Sequence, residues 1–506
     1  MPSRILEAWN AEAVDAAAVP VLPRDDFQQV VADVLTAGGR PSACFGRPAG
    51  DGTVLVTAVL ADDSQGKLGL LSTRVGSSWP SLSAECPSLQ AFEREIYEQF
   101  GVRPEGHPWL KPLRFEPPLV PGVDPWGRLA DPQTIPGDYP FFRVEGQEVH
   151  EVAVGPVHAG IIEPGHFRFQ CHGEQVFWLE IVLGYQHRGV EPMLVGGPDR
   201  RTAALLESVA GDTVIGHGLA HANAVESLAG CQIPARAAVL RGVALELERL
   251  ANHVGDLGML AGDIGFLPTA SYCGALRADF LNALAEICGN RFGRGLVVPG
   301  GVRFDLDPAE AGRLADKVQK AWESVAGAVR LFFGSPSARN RTDGTGVVSR
   351  ETCIQLGLVG PAARACGVSR DVRRDHATGV FRFIHVPTVT GETGDVFARA
   401  WVRLLEAERS AEFVVGQLRS LPAGPVRAPC GAPLPGRLVV SLMEGWRGEI
   451  AHVAVTSDDG RFSRYKLKDP SFHNWMGLSM ALRGEQISDF PLCNKSFNLS
   501  YCGHDL

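Results

Sequence analysis

The sequence predicts an α+β chain: a small α/β N-terminal domain over residues 1–115, a proline-rich linker over 116–145, and an α-rich domain over 146–506 with β segments at both ends. Three observations carry this expectation. Short apolar runs separated by turn residues precede residue 115, prolines and glycines crowd the stretch after it, and apolar residues from Leu240 onward recur at steps of three and four.

The runs VLVTAVLA at 54–61 and KLGLLSTRVG at 67–76 are strand-length and rich in β-branched residues, and Ala91–Phe100 reads as a charged helix. From Phe115 to Glu145 the sequence FEPPLVPGVDPWGRLADPQTIPGDYP sustains neither helix nor sheet, because proline lacks an amide hydrogen and breaks both. Strand-like segments follow at Val149–Val157 and Gln175–Leu183. Leu240, Val243, Leu247, Leu250, Val254 and Leu257 then mark one face of a buried helix, and Leu438–Tyr465 returns to a strand pattern.

Composition excludes several functions. The 506 residues are 45% hydrophobic and 21% charged, so they can build more than one core. A net charge of −9, with no basic stripe, argues against a nucleic-acid partner. The first residues do not form a secretory leader, and no run of about 18 apolar residues is present to span a bilayer. The 11 cysteines include no CxxC pair, which argues against a disulfide framework or an iron-sulfur cluster held by this chain. No G-x-G-x-x-G follows a strand, so NADH binding is not expected.

Polar residues concentrate in GPVHAGIIEPGHFRF, 155–169, and GEQVFWLEIVLGYQHRGVE, 173–191. His158, His166 and His187 stand there with Glu163, Arg168 and Arg188. Buried polar groups need partners, so this concentration marks either an internal hydrogen-bond network or a lined pocket.

Taken in order, these motifs resemble a known superfamily. ERE at 93–95 with IYEQFGV and GHPWLKPL resembles the 30 kDa subunit of respiratory complex I. The segment after the linker resembles the 49 kDa subunit of complex I and the large subunit of group 4 [NiFe] hydrogenases. RGVALELERLANHVGDLGMLAGDIGF from Arg241, VVPGGVRFDL from Val297, EGWRGEIAHVAV from Glu444 and YKLKDPSFHNW from Tyr465 continue the likeness in family order. The resemblance implies a fused pair of subunits covering nearly the whole chain.

The same resemblance implies that the metal ligands are gone. Hydrogenases hold nickel and iron with four thiolates. The alignment fixed by His217 and AVES puts Ala210 and Thr213 at the first two positions, and matching Ser496, Phe497 and Asp505 puts Ser500 and Gly503 at the last two. Cys502 is one residue from a ligand position, and Cys502 with His504 offers only two donors. No metal is expected. Glu163 matches the hydrogenase proton-transfer glutamate, His166 is nearest the complex I histidine at the quinone head-group, and Arg447 matches a guanidinium held over the active site, with Trp446 replacing the preceding proline.

The expected cavity is lined by Glu163, His166, Asp212, His217, Arg447 and Ser500. Bland readings stand beside this one: Arg447 as a salt-bridged surface residue, His217 as a satisfied core histidine, Asp212 as a polar helix residue. The resemblance implies a cofactor-free chain next to a small [4Fe-4S] subunit, with a ferredoxin-like iron-sulfur subunit and antiporter-like membrane subunits as further partners, at the cytoplasmic face of a membrane. Three functions remain open: reduction or oxidation of a small organic carrier such as a quinone, a silent scaffold transmitting conformational change, and a hydrogenase with an unusual metal site, against which the lost cysteines weigh.

Overall fold

The computed structural model describes residues 4–127 and 135–506; positions 128–134 of the expected linker lie outside the described residues. Six short strands open the chain: β1 (Leu6–Trp9), β2 (Ala13–Asp15), β3 (Val21–Leu22), β4 (Arg40–Pro48), β5 (Val54–Asp62) and β6 (Lys67–Val75). The sheet runs β1-β6-β5-β4, antiparallel, with β3 parallel to β6. Helices α1 (Arg24–Thr36) and α2 (Gln90–Phe100) cover one face.

β5 is apolar but for Thr57 and the terminal Asp62, because both of its faces are covered. Val54, Val56, Ala58 and Leu60 pack with Phe27 and Val30 of α1 and with Phe92 and Ile96 of α2. Val59 and Ala61 face the other way, into a cluster with Leu438, Leu442, Ala451 and Val453. A strand buried on both sides loses the polar half of its alternation.

Those last residues belong to a second sheet, built from β10 (Arg437–Gly445), β11 (Gly448–Thr456) and β12 (Phe462–Lys468) near the C-terminus. β2 completes it, in the order β12-β11-β10-β2. The N-terminal 115 residues are thus tied into the larger part by a shared sheet as well as by sheet-on-sheet packing. The opposite face of this sheet, through Val439, Ala454, Tyr465 and Leu467, meets Ala224, Val225 and Leu228 of α3 (Val214–Ala229).

Between these layers runs α4 (Ala235–Asp263), flanked by α5 (Leu267–Cys288), α6 (Pro308–Gly334) and α7 (Val396–Arg419). The three-and-four spacing from Leu240 to Leu257 does lie on this helix, and every one of its residues is buried. α4 touches α5 closely at Gly258, where a Cβ would stand 2.9 Å from Cys273 Cβ. α6 begins with a capping box between Asp307 and Glu310.

A third sheet, β7 (Val149–Val154), β8 (His166–His172) and β9 (Gln175–Val182), carries the 155–165 loop. Residues 135–145 cross this sheet as a strap without helix or strand, holding on by Tyr139 against Phe115, Phe141 against His166 and Phe142 against Trp178. The chain ends in α8 (Ser471–Ala481), α9 (Phe490–Phe497) and α10 (Tyr501–Asp505). Family-level expectations of an α+β fold with β segments around an α-rich centre agree with this architecture.

Candidate functional site

The site forms where four pieces of chain converge: the turn before α3, the β10–β11 hairpin, the end of β12, and the start of α10. The hairpin turn is two residues, Trp446 and Arg447, between paired Gly445 and Gly448. Gly360 makes room for it, since a Cβ there would meet the Arg447 carbonyl oxygen at 2.0 Å. This fixes both side chains. The Arg447 guanidinium forks onto Asp212, with Nη1 to Oδ1 at 2.6 Å and Nη2 to Oδ2 at 2.8 Å. Its Nε donates to the Asn498 carbonyl at 2.5 Å, and it stacks on the Trp446 ring at 3.9 Å.

Trp446 has a task that a proline could not perform. Its indole N–H donates to the Asp212 carbonyl at 3.0 Å and to the Thr213 hydroxyl at 3.1 Å. Arg447 is only 6% exposed, so it is a buried ion-pair partner and no surface arginine. Asp212 lies in the turn preceding α3, outside any helix. Burial would raise the Asp212 pKa, but the opposing guanidinium outweighs it and holds the carboxyl below its ordinary value.

The four positions at which the resemblance places thiolates, Ala210, Thr213, Ser500 and Gly503, are occupied in other ways. Ala210 is fully buried and offers no donor. The Thr213 hydroxyl is committed to Trp446, Arg447 and Asp212. Ser500 caps α10, its hydroxyl accepting the Gly503 amide at 2.9 Å. Gly503 has no side chain, and a Cβ on it would lie 2.7 Å from Cγ and 2.8 Å from Oδ2 of Asp469. A carboxylate therefore fills the space a side chain at position 503 would need. These donors do not fit a soft nickel-iron pair, and no cluster of three or more His, Cys, Asp or Glu among the described residues suits a metal ion.

Asp469 begins a line of buried polar groups. His217 Nε2 lies 3.2 Å from its Oδ2, His217 Nδ1 is 3.1 Å from His452 Nε2, His452 Nδ1 is 3.1 Å from the Tyr465 hydroxyl, and that hydroxyl is 3.2 Å from His221 Nδ1. One assignment of protons satisfies every link. His221 donates to Tyr465, Tyr465 to His452, His452 to His217, and His217 to an ionised Asp469. All three imidazoles are then neutral. For two of them the electrostatics agree: burial pushes His452 well below the usual range and takes His221 down to about 4. Burial opposes ionisation of Asp469, but the hydrogen bond from His217 and the charge of Arg447 hold its pKa below normal.

Glu163 reaches the same region from the 155–165 loop, accepting the Tyr501 amide at 3.0 Å and the Cys502 amide at 3.5 Å. Cys502 Sγ lies 3.4 Å from Ser500 Oγ, and Ser500 Oγ and Asp469 Oδ2 stand 2.9 and 2.8 Å from the position a Cβ on Gly503 would take. His187 and Arg188 brace this end, with Nδ1 of His187 2.9 Å from the Asp505 carbonyl and Arg188 donating to the Cys502 carbonyl. His166 keeps separate company. It contacts the Gly155 carbonyl, accepts from Arg168 and packs on Phe141 of the strap. The structure thus gathers Glu163, Asp212, His217, Arg447 and Ser500 into one region and places His166 among other partners.

Asp469, His452, Tyr465 and His221 were not among the expected lining residues, although the first three lie inside the quoted motifs. No local pattern marks them: His452 lies on a strand buried throughout, and Tyr465 and Asp469 stand among Arg464, Lys466 and Lys468.

Residues 53–126 match the family described as respiratory-chain NADH dehydrogenase, 30 Kd subunit, and residues 263–435 the 49 Kd subunit. The carbon monoxide-induced hydrogenase of Rhodospirillum rubrum is 32% identical over 69% of this chain and 97% of its own length. The chain belongs to the family of complex I 49 kDa and membrane-bound hydrogenase large subunits. Within this family, NADH-quinone oxidoreductase subunit 4 of Thermus thermophilus is 30% identical over 68% of this chain and 90% of its own. Formate hydrogenlyase subunit 5 of Escherichia coli is 29% identical over 84% and 76%. A solved chain of the membrane-bound sulfane sulfur reductase, an archaeal respiratory membrane complex, shares the fold with a TM-score of 0.66 at 23% identity, covering 73% of this chain and all of the other.

Proposed function

We propose that the chain is the hydrogenase-like, 49 kDa-like subunit of a membrane-bound, ion-translocating oxidoreductase complex, in which the former metal position handles protons. A small [4Fe-4S] subunit abuts the cleft, and ferredoxin-like and antiporter-like membrane subunits complete the assembly at the cytoplasmic face. Family membership supports the complex. The absence of any membrane-spanning helix among the described residues fits attachment through partners.

The observation that carries the proton role is the one-way donor chain from His221 to Asp469, ending at the fourth thiolate position. A proton delivered at His221 moves by successive transfers of one bond each and arrives at Asp469, leaving every imidazole neutral again. Glu163, which accepts the amides of Tyr501 and Cys502 at the start of α10, stands beside this end of the chain. No step requires nickel.

The test uses the purified complex. Metal analysis and hydrogen-dependent viologen reduction are expected to give no stoichiometric nickel and no hydrogen activity. In vesicles, His452→Phe is expected to slow proton-coupled turnover by about ten-fold or more while the complex assembles with its iron-sulfur signals intact. Stoichiometric nickel with hydrogen activity, or wild-type turnover in His452→Phe, would overturn the reading.

A further inference from the structure

A cavity of about 290 Å³, lined by none of the residues of the donor chain from His221 to Asp469, lies between the N-terminal unit and the larger one. Its walls come from α2 and the 108–113 segment on one side and from β9 and α8 on the other. The volume is close to the lower end of the roughly 300–1,000 Å³ of small-molecule sites.

Three properties of the walls define what fits. Trp109, Trp178 and Trp475 all contribute to the lining, with Trp109 and Trp178 in ring contact at 5.3 Å. Such surfaces favour a flat aromatic guest. The indole N–H groups of Trp178 and Trp475 are both buried with no hydrogen-bond partner among the described residues, and Trp475 is only 5% exposed. A buried donor without an acceptor is costly, and both tryptophans that carry one belong to the walls of this cavity.

Charge supplies the third. The Arg483 guanidinium lies over the Trp178 ring at 4.3 Å and has no carboxylate partner among the described residues. Arg94 donates to the carbonyls of Lys111 and Pro112 and likewise pairs with no acid there. The one lining carboxylate, Glu180, is neutralised by Lys111 at 2.6 Å. The cavity therefore carries surplus positive charge.

We infer that this cavity between the two units binds a flat bicyclic aromatic molecule bearing a carboxylate or similar anionic oxygen. Its ring lies among the tryptophans. Its anionic oxygens face the Arg483 guanidinium, a charge-assisted contact stronger than a neutral one.

The test titrates the full-length chain with 2-naphthoate and with its neutral analogue 2-naphthamide, following tryptophan fluorescence and calorimetry. Saturable one-to-one binding of naphthoate is expected, at least about ten-fold tighter than naphthamide. Arg483→Gln, at an exposed side chain, is expected to weaken naphthoate about ten-fold and leave naphthamide unchanged, and Trp475→Phe to weaken both. Met476→Trp is expected to fill the cavity and abolish binding. No saturable binding, equal affinity for the acid and the amide, or naphthoate binding indifferent to Arg483→Gln would overturn the inference. Because Arg483 is exposed, its result stands even if Met476→Trp fails to fold.

Discussion

Asp469 occupies the space that a side chain on Gly503 would need, its Oδ2 standing 2.8 Å from that glycine's ideal Cβ position. The two residues are mutually exclusive as thiolate and carboxylate. Gly503→Ala is therefore expected to destabilise the chain by about 1–3 kcal/mol, as overpacking of a filled site does. In a double-mutant cycle with Asp469→Ala, a coupling of about 1 kcal/mol or more is expected by denaturant unfolding. Additive effects would show that Asp469 yields its place freely.

The Arg447–Asp212 pair predicts a difference between two cations. Lysine cannot reproduce a forked bond to both carboxylate oxygens. Arg447→Lys is expected to cost about 2 kcal/mol, less than the roughly 3–5 kcal/mol of a fully buried pair, because the Asp212 side chain is 34% exposed. Unfolding in urea at low and high salt checks this, and a loss under about 0.5 kcal/mol would reduce the pair to a surface contact.

Removing the Tyr465 hydroxyl interrupts the donor chain at its middle. Tyr465→Phe leaves a histidine nitrogen on either side without its partner, His452 Nδ1 and His221 Nδ1. The expected cost is about 1–3 kcal/mol, with little change in fold by circular dichroism. Unchanged stability would mean that neither histidine relies on this hydroxyl.

Glu248 on α4 predicts a pH dependence. Its carboxyl accepts the Ile215 and Gly216 amides at 2.7 and 3.1 Å, and burial raises its pKa to about 8 from an ordinary 4.5. Below about pH 4.5 both the folded and the unfolded chain hold this proton. Between about 4.5 and 8 only the folded chain does, so the stability it contributes is lost as pH rises through that window. Glu248→Gln keeps an acceptor oxygen and removes the titration. The variant is expected to gain on the wild type as pH rises from about 5 to about 8 in urea unfolding, and parallel profiles would refute the shift.

Legibility in the sequence followed the range of the interaction. Val54–Ala61, Lys67–Gly76 and the Leu240–Leu257 face announced themselves because period and β-branching are local properties. Asp212, His217, Arg447 and Ser500 were legible through their places in motifs, and they do converge. Asp469 and His452 were not. On β11 every residue from Gly448 to Thr456 is buried, so His452 breaks no alternation, and its partner His217 is 235 residues away. Trp446 read only as a lost proline, since the acceptors that give its indole a role belong to the turn before α3.

The strand β2 has a consequence for biosynthesis. Its neighbour Asn10 accepts from the backbone of Leu442 and so finds its partner 432 residues later. At roughly 5–20 residues per second a ribosome takes on the order of 20–90 s to bridge that distance. Throughout that interval the opening segment waits with an unpaired edge, open to wrong partners. Two segments that match the families of distinct subunits share one nascent chain here, and the pairing of β2 waits until β10 has been made. Chaperone dependence, with early truncations that aggregate, is the signature such a chain would carry in the cell.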